Sequence, residues 1–224
     1  MDDELEISAV RPNIAYVDEL RDERDNFFTD AFDSGLFEQI YLLEPEKDIG
    51  AMVCKLLELD IDALVSDFNL SEASSLSYDG EQLVLAFLAV KSEFPCFIRT
   101  SYDDQAVNSS DDVNRVYSKN INHDEGAGRY LFKRVVQQVR RYRKRIDEWK
   151  VELQGLMERD PARLTASDVE RVLELDAKIE SCLGRDVAIP VQVKRRLLQN
   201  ESGLIEETER LIADIKRVLD GEKT

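Results

Sequence analysis

Histidine is almost absent from this chain: His123 is the only one in 224 residues, and it stands in a polar loop, where it reads as a surface residue. Cysteine is nearly as scarce. Cys54, Cys96 and Cys182 are odd in number, lack metal-ligand spacing and lie in apolar helical or strand patterns, which points to reduced structural thiols of a cytosolic protein. No window approaches the roughly 18 uninterrupted apolar residues of a membrane span. The first residues, Met1 to Ile7, are acidic and have no basic region followed by an apolar one, so neither a signal peptide nor a membrane anchor is expected. A cytoplasmic protein is the expectation. Basic residues are scarce over residues 1–125, which hold 29 acids and 9 bases. Phosphate contacts need Lys and Arg, so nonspecific nucleic-acid binding is disfavoured there.

The acidic excess is confined to that half. Residues 126–224 carry 18 acids and 21 bases, although the whole chain has a net charge of −17. The shift marks a boundary near Asp124-Glu125-Gly126-Ala127-Gly128, with a first domain over 1–128 and a second over 129–224.

Within the first domain the apolar residues alternate between two periods. A strand over about Asn13–Asp18 precedes a helix with Phe27, Phe28, Ala31 and Phe32 at one-turn spacing, which Gly35 stops. Glu38–Leu43 is a second strand, and Ile49, Met52, Val53, Leu56 and Leu57 mark a second helix. The stretch Asp62-Ala63-Leu64-Val65-Ser66-Asp67-Phe68-Asn69 is then a short buried strand ending on a carboxylate. A loop, Leu70–Gly80, leads to an apolar helix over Glu81–Lys91, and further strands are expected at Cys96–Ile98 and Arg115–Ser118. Strands alternating with helices require right-handed crossovers and a parallel sheet.

Open sheets of this kind place their chemistry at the C-terminal strand edge. There the first strand ends in Asp18-Glu19, the third in Asp67, the fourth passes through Arg99 into Thr100-Ser101, and the last ends on Lys119. Asp18, Glu19 and Asp67 should converge on one acidic pocket, whose mutual repulsion a hard divalent cation relieves.

An acidic pair, a lone Asp with Asn two residues on, a hydroxyl and a lysine, in that order on successive strand ends, resemble the receiver domain of two-component response regulators. The resemblance spans about Asn13 to Arg129 and implies a doubly wound, flavodoxin-like sheet of five parallel strands. It implies Mg²⁺ held by Glu19, Asp67 and the backbone carbonyl of Asn69, with Asp18 direct or through water. It further implies that Asp67 is the phosphoacceptor for a histidine kinase, and that Thr100 and Lys119 share the phosphoryl oxygens. Such a chain is a phosphoacceptor rather than a turnover enzyme, and the context of His123 argues against its being the kinase or a phosphotransfer protein.

Several residues depart from that pattern. Ser71 stands where receivers often have Pro, and Asn120 follows Lys119 in place of another Pro. Val116 occupies the usual position of an aromatic switch residue, while Tyr117 lies one place later and hence on the other strand face. Tyr102–Asn114, where a fourth helix belongs, is polar and weakly periodic.

From Arg129 onward Leu131, Val135, Val139, Tyr142, Ile146, Trp149, Leu153 and Leu156 form a heptad seam, which ends before Pro161. A second helix starts near Thr165-Ala166-Ser167-Asp168, with Ser167 as the expected cap, and shorter helices follow. The expected extension is therefore a coiled coil or helical hairpin, and its exposed seam favours a homodimer. The basic run Arg140–Arg145 reads as solvated flanks of that seam, and no helix-turn-helix pattern accompanies it, so DNA is not expected as a partner. Three roles follow from the resemblance: a phosphorylation signal passed by the helices to a protein effector, a phosphate sink buffering a kinase that serves another regulator, or a structural assembly module. Variant receivers of this general look also occur in phage-defence two-component systems.

Overall fold

Every residue of the strands β1 (Ile14–Val17) and, beyond the next strand, β3 (Ala63–Asp67) is buried, which requires a sheet covered on both faces. The computed structural model describes residues 10–70, 76–100, 116–118, 127–160, 163–183, 189 and 192–194. Their contacts divide the chain into two compact units, Met1–Lys144 and Arg145–Thr224.

In the first unit β1, β2 (Ile40–Leu43), β3, β4 (Cys96–Thr100) and a short edge strand β5 (Val116–Ser118) pair in parallel, in the order β2-β1-β3-β4-β5. That is the doubly wound, flavodoxin-like order, which puts a topological switch point beside β1 and β3. On one face Ile14, Tyr16, Ala63, Val65 and Phe97 pack against Phe27 and Ala31 of α1 (Arg21–Ser34). Leu131, Phe132, Val135, Val136 and Val139 of α4 (Ala127–Met157) complete this core. The opposite layer is α2 (Ile49–Glu58) and α3 (Gly80–Leu88), which bury Met52, Leu56, Leu83 and Phe87.

The α1 face is narrower than its four apolar residues predict. Phe27 and Ala31 are buried, but Phe28 and Phe32 stay exposed and stack on each other at 5.8 Å. Gly35 ends this helix in the left-handed conformation that favours glycine, with φ 65°. Cys54 is exposed, whereas Cys96 and Cys182 are buried, so only the latter two fit the expected structural role.

The structure divides the long helix differently from the sequence. Its seam residues Leu131, Val135 and Val139 belong to the core of the first unit, and Tyr142 meets Phe94 edge-on at 5.8 Å. The first half of the heptad seam therefore faces a sheet, not another helix, and the division falls within the helix instead of at residue 128. The basic run is not simply solvated either. Arg143 grips Asp62 Oδ1 through Nε (3.2 Å) and Nη2 (2.6 Å) and donates to the Val10 carbonyl.

In the second unit Leu156, Leu164, Val169, Val172 and Leu175 form a core, with Trp149 and Leu153 against it. Here α4 meets α5 (Ala166–Leu183) as a helical hairpin, in which the same chain buries Leu156 and partly buries Trp149 and Leu153. Part of the burial for which the sequence favours a second subunit is thus supplied by the chain's own helix. Thr165, not Ser167, caps α5: its hydroxyl accepts from Asp168 N at 3.2 Å, and Asp168 Oδ2 accepts from Thr165 N at 3.0 Å. Among the described residues no helix is long and apolar enough to cross a membrane.

Candidate functional site

The register fixes which side chains meet at the C-terminal edge. Tyr16 pairs with Val65, and Val65 with Phe97, all three in the core beneath α1. Two residues further along each strand, on the same face by the period of two, stand Asp18, Asp67 and Arg99. Glu19 follows Asp18 at the turn into α1. One oxygen from each of Asp18, Glu19 and Asp67 lies within 4.8 Å of the others. Asp18 is fully buried and Asp67 is 6% exposed, so like charges gather where water screens them least.

Asp18 and Asp67 are each held by neighbouring donors. The Tyr16 hydroxyl donates to Asp18 Oδ2 at 2.6 Å, and the Leu20 amide donates to Oδ1 at 2.9 Å. Arg24 Nη1 donates to the Asp18 carbonyl at 2.5 Å, tying α1 to the same turn. Burial first, and the Asp18 charge second, hold the Tyr16 phenol well above the ordinary tyrosine range, with the Arg99 charge acting the other way. The phenol therefore stays protonated and serves as a donor. Asp67 Oδ2 accepts the Asn69 amide at 2.9 Å, a two-residue turn that fixes the carboxylate at the strand end.

Tyr78, Asp79 and Gly80 brace the other side. Tyr78 donates to the Glu46 carbonyl at 2.5 Å, and burial, then the charges of Glu46 and Asp48, push its phenol up to about 12. Asp79 next caps α3 through a box with Gln82. Gly80 then passes so close to β3 that a Cβ there would stand 1.8 Å from the Asp67 carbonyl oxygen. No other residue type fits without moving backbone.

The structure thus brings together Asp18, Glu19 and Asp67, with Asn69 in the turn after Asp67. Thr100 is buried at the end of β4, one residue beyond the register partner of Asp67. Lys119, Asn120, Ser71, His123 and Tyr102–Asn114 lie outside the described residues. Tyr117 turns toward Phe97 and Tyr130, the face expected from its position. The sequence alone gives Tyr16, Gly80 and Arg99 no role at the site. Alternation could have placed Tyr16 and Arg99 on the acidic face, but nothing in the sequence marks Gly80.

The donor set suits a hard divalent cation, because all its members are oxygens and its carboxylates need a counter-charge. No family model matches the chain, and none of the curated proteins matches it. Among solved structures it is similar to a response regulator receiver domain protein from Clostridium thermocellum, with 12% identity over 59% of this chain and 97% of that one and a TM-score of 0.43. It is also similar to the signal receiver domain of an HD domain-containing protein from Pseudomonas fluorescens Pf-5, with 17% identity, coverage of 61% and 94% and a TM-score of 0.45. The RcsB response regulator in complex with DNA is similar at 15% identity, coverage of 85% and 98% and a TM-score of 0.42. The chain's own strand order, with its acidic cluster at the switch point, is that of a receiver-like α/β fold followed by a helical C-terminal part.

Proposed function

We propose that the protein is a response regulator whose receiver accepts a phosphoryl group on Asp67 from a histidine kinase and whose helical part passes the change to a protein partner. The observation that carries this reading is the gathering of Asp18, Glu19 and Asp67 within 4.8 Å at the switch point of the sheet. Mg²⁺ is the proposed ion, held by Glu19, Asp67 and the Asn69 carbonyl, with Asp18 direct or through water. When bound it supplies neutralisation of the charge on the transferring phosphoryl oxygens.

The chain's own residues do the rest. The Asn69 amide holds Asp67 Oδ2, which fixes the carboxylate's rotation, and Oδ1 is the proposed nucleophile. As its bond to phosphorus forms, the bond from phosphorus to the donor breaks and the donor leaves with the electron pair. Thr100 donates its hydroxyl to a phosphoryl oxygen, and Lys119 neutralises another. The Tyr16 hydroxyl keeps Asp18 oriented throughout. The partner is proposed to be a protein and not DNA: within the basic run Arg143 is engaged by Asp62, and Arg145 lies 5.9 Å from the Trp149 ring centre.

A phosphate sink is the second reading, favoured by one observation. Most of the seam of α4 is packed against its own chain, with only Trp149 and Leu153 partly exposed, so its apolar residues offer a partner limited new surface. Incubation with acetyl phosphate and Mg²⁺, followed by intact mass, should add one phosphoryl group to the wild type and none to Asp67→Asn. Phosphate on another residue, or none, overturns both readings. Sedimentation with and without the donor then separates them, because a signal needs two states and a sink does not.

A further inference from the structure

Arg99 is the residue of the acidic edge that the reading above leaves without a task. It is the register partner of Asp67, and it stands in the same row as Asp18 and Asp67, about 4.8 Å apart at each step between neighbouring strands. Its guanidinium lies 5.9 Å from the Tyr16 ring centre and 5.6 Å from that of Phe27. Those rings lie beyond β3 from β4, so the side chain crosses the front of β3, the strand that ends on Asp67. Nη1 is buried there and, among the described residues, has no hydrogen-bond acceptor. A buried guanidinium N–H without an acceptor is costly, and each such group calls for an explanation.

Charge points to the missing acceptor. Asp18, Glu19, Asp67 and Arg99 sum to two negative charges, which one divalent cation balances. Phosphorylation converts the Asp67 carboxylate into an acyl phosphate, adding one negative charge and three acceptor oxygens beside Arg99. We propose that Arg99 is a binding residue for the phosphoryl group on Asp67, its Nη1–H donating to one of the new oxygens. The proposal rests on Asp67 as phosphoacceptor. No bond to Arg99 forms or breaks: the Asp67 oxygen bonds to phosphorus, the donor leaves with its electron pair, and Arg99 supplies only the hydrogen bond.

The test uses the full chain with Mg²⁺ and beryllofluoride, a phosphoryl mimic, followed by fluorine NMR. Arg99→Met keeps the stem that packs on Tyr16 and Phe27 and removes the donors. It should bind beryllofluoride about tenfold more weakly, the loss expected for one charge-assisted hydrogen bond, and shift one fluorine resonance. Arg99→Lys should restore part of the affinity with a resonance unlike the wild type's. If Arg99→Met binds as tightly as the wild type with the same spectrum, the role of Arg99 is wrong while Asp67 still accepts phosphate. If the wild type takes neither beryllofluoride nor phosphate, both ideas fall. Should Arg99→Met fail to fold, Arg99→Lys decides alone, and an unchanged fluorine spectrum overturns the proposal.

Discussion

Asp176 and Asp67 are both carboxylates withdrawn from water, one on α5 of the second unit and one at the end of β3 in the first. Their surroundings differ. Asp176 Oδ2 forms an ion pair with Lys194, and its Oδ1 accepts the Ile189 amide at 2.5 Å. Asp67 shares its pocket with two more carboxylates, Asp18 and Glu19. A single buried acid answered by a cation and an amide is closed and holds helices together. Three acids with Arg99 as the one cation of their row keep two uncompensated negative charges, so the same residue type at similar burial closes a structural contact in one place and is suited to a cation in the other.

The largest expected effect breaks the closed site. Lys194→Met leaves Asp176 buried without its cation and should lower stability by about 3 kcal/mol, the low end for a broken buried pair because Lys194 is partly exposed. Trp149, the chain's only tryptophan, packs on the core of the second unit and reports its unfolding by fluorescence in urea. A variant as stable as the wild type would show that the ion pair holds nothing. The pair also sets a pH dependence. The hydrogen bond to Asp176, and to a lesser degree its charge, hold the Lys194 ammonium above the ordinary lysine range. Its contribution is therefore fully present below about 10.4, the unfolded lysine value, and is lost as pH rises through the higher folded one.

Much of the first unit was legible because apolar strands buried on both faces, and helices with one apolar stripe, write different periods into the sequence. The ends of β1, β3 and β4 could be ordered from that, and with them Asp18, Glu19, Asp67 and Thr100. Contacts that depend on the path of the chain could not. Tyr16 reads as one more apolar residue of β1, and although alternation puts it on the face of Asp18, only the structure shows its hydroxyl donating to that carboxylate. Gly80 reads as the end of a loop, and only the structure shows it packed against β3. The seam of α4 has one period throughout, so it cannot tell that its first half faces a sheet and its second half a helix. Phe28 and Phe32 misled for the opposite reason, as helical spacing counts them but the sheet leaves room for only one stripe of α1.

The next effect disturbs the open site without altering its charges. Gly80→Ala places a methyl group against the Asp67 carbonyl, so β3 or α3 must shift. Overpacking of this kind costs about 1–3 kcal/mol, and backbone-to-backbone contact puts this case at the upper end. The expected result is a lower melting temperature by circular dichroism, together with reduced phosphate uptake although every acid is intact. Full uptake would mean that the position of Asp67 tolerates a shift of its own peptide, and that the geometry of the pocket matters less than its charge.

The smallest effect sharpens the comparison most, because its sign differs between a binding site and a structural one. Glu19→Gln removes one of three like charges while keeping the side chain's size. In a chelator-treated sample the relief of repulsion should stabilise the fold by about 1 kcal/mol, since unit charges this close in a partly screened site interact by that order or more. Adding Mg²⁺ should reverse the ranking. The wild type gains stability as ligand binds the folded state only, about 2.7 kcal/mol at a hundredfold excess over the dissociation constant, whereas the variant has lost a ligand and gains less. Melting both proteins with chelator and with Mg²⁺ gives four temperatures whose crossing is the expected result. Were Glu19→Gln less stable than the wild type under chelator and equally raised by Mg²⁺, Glu19 would be a structural acid like Asp176, and the cation site would have to be built without it.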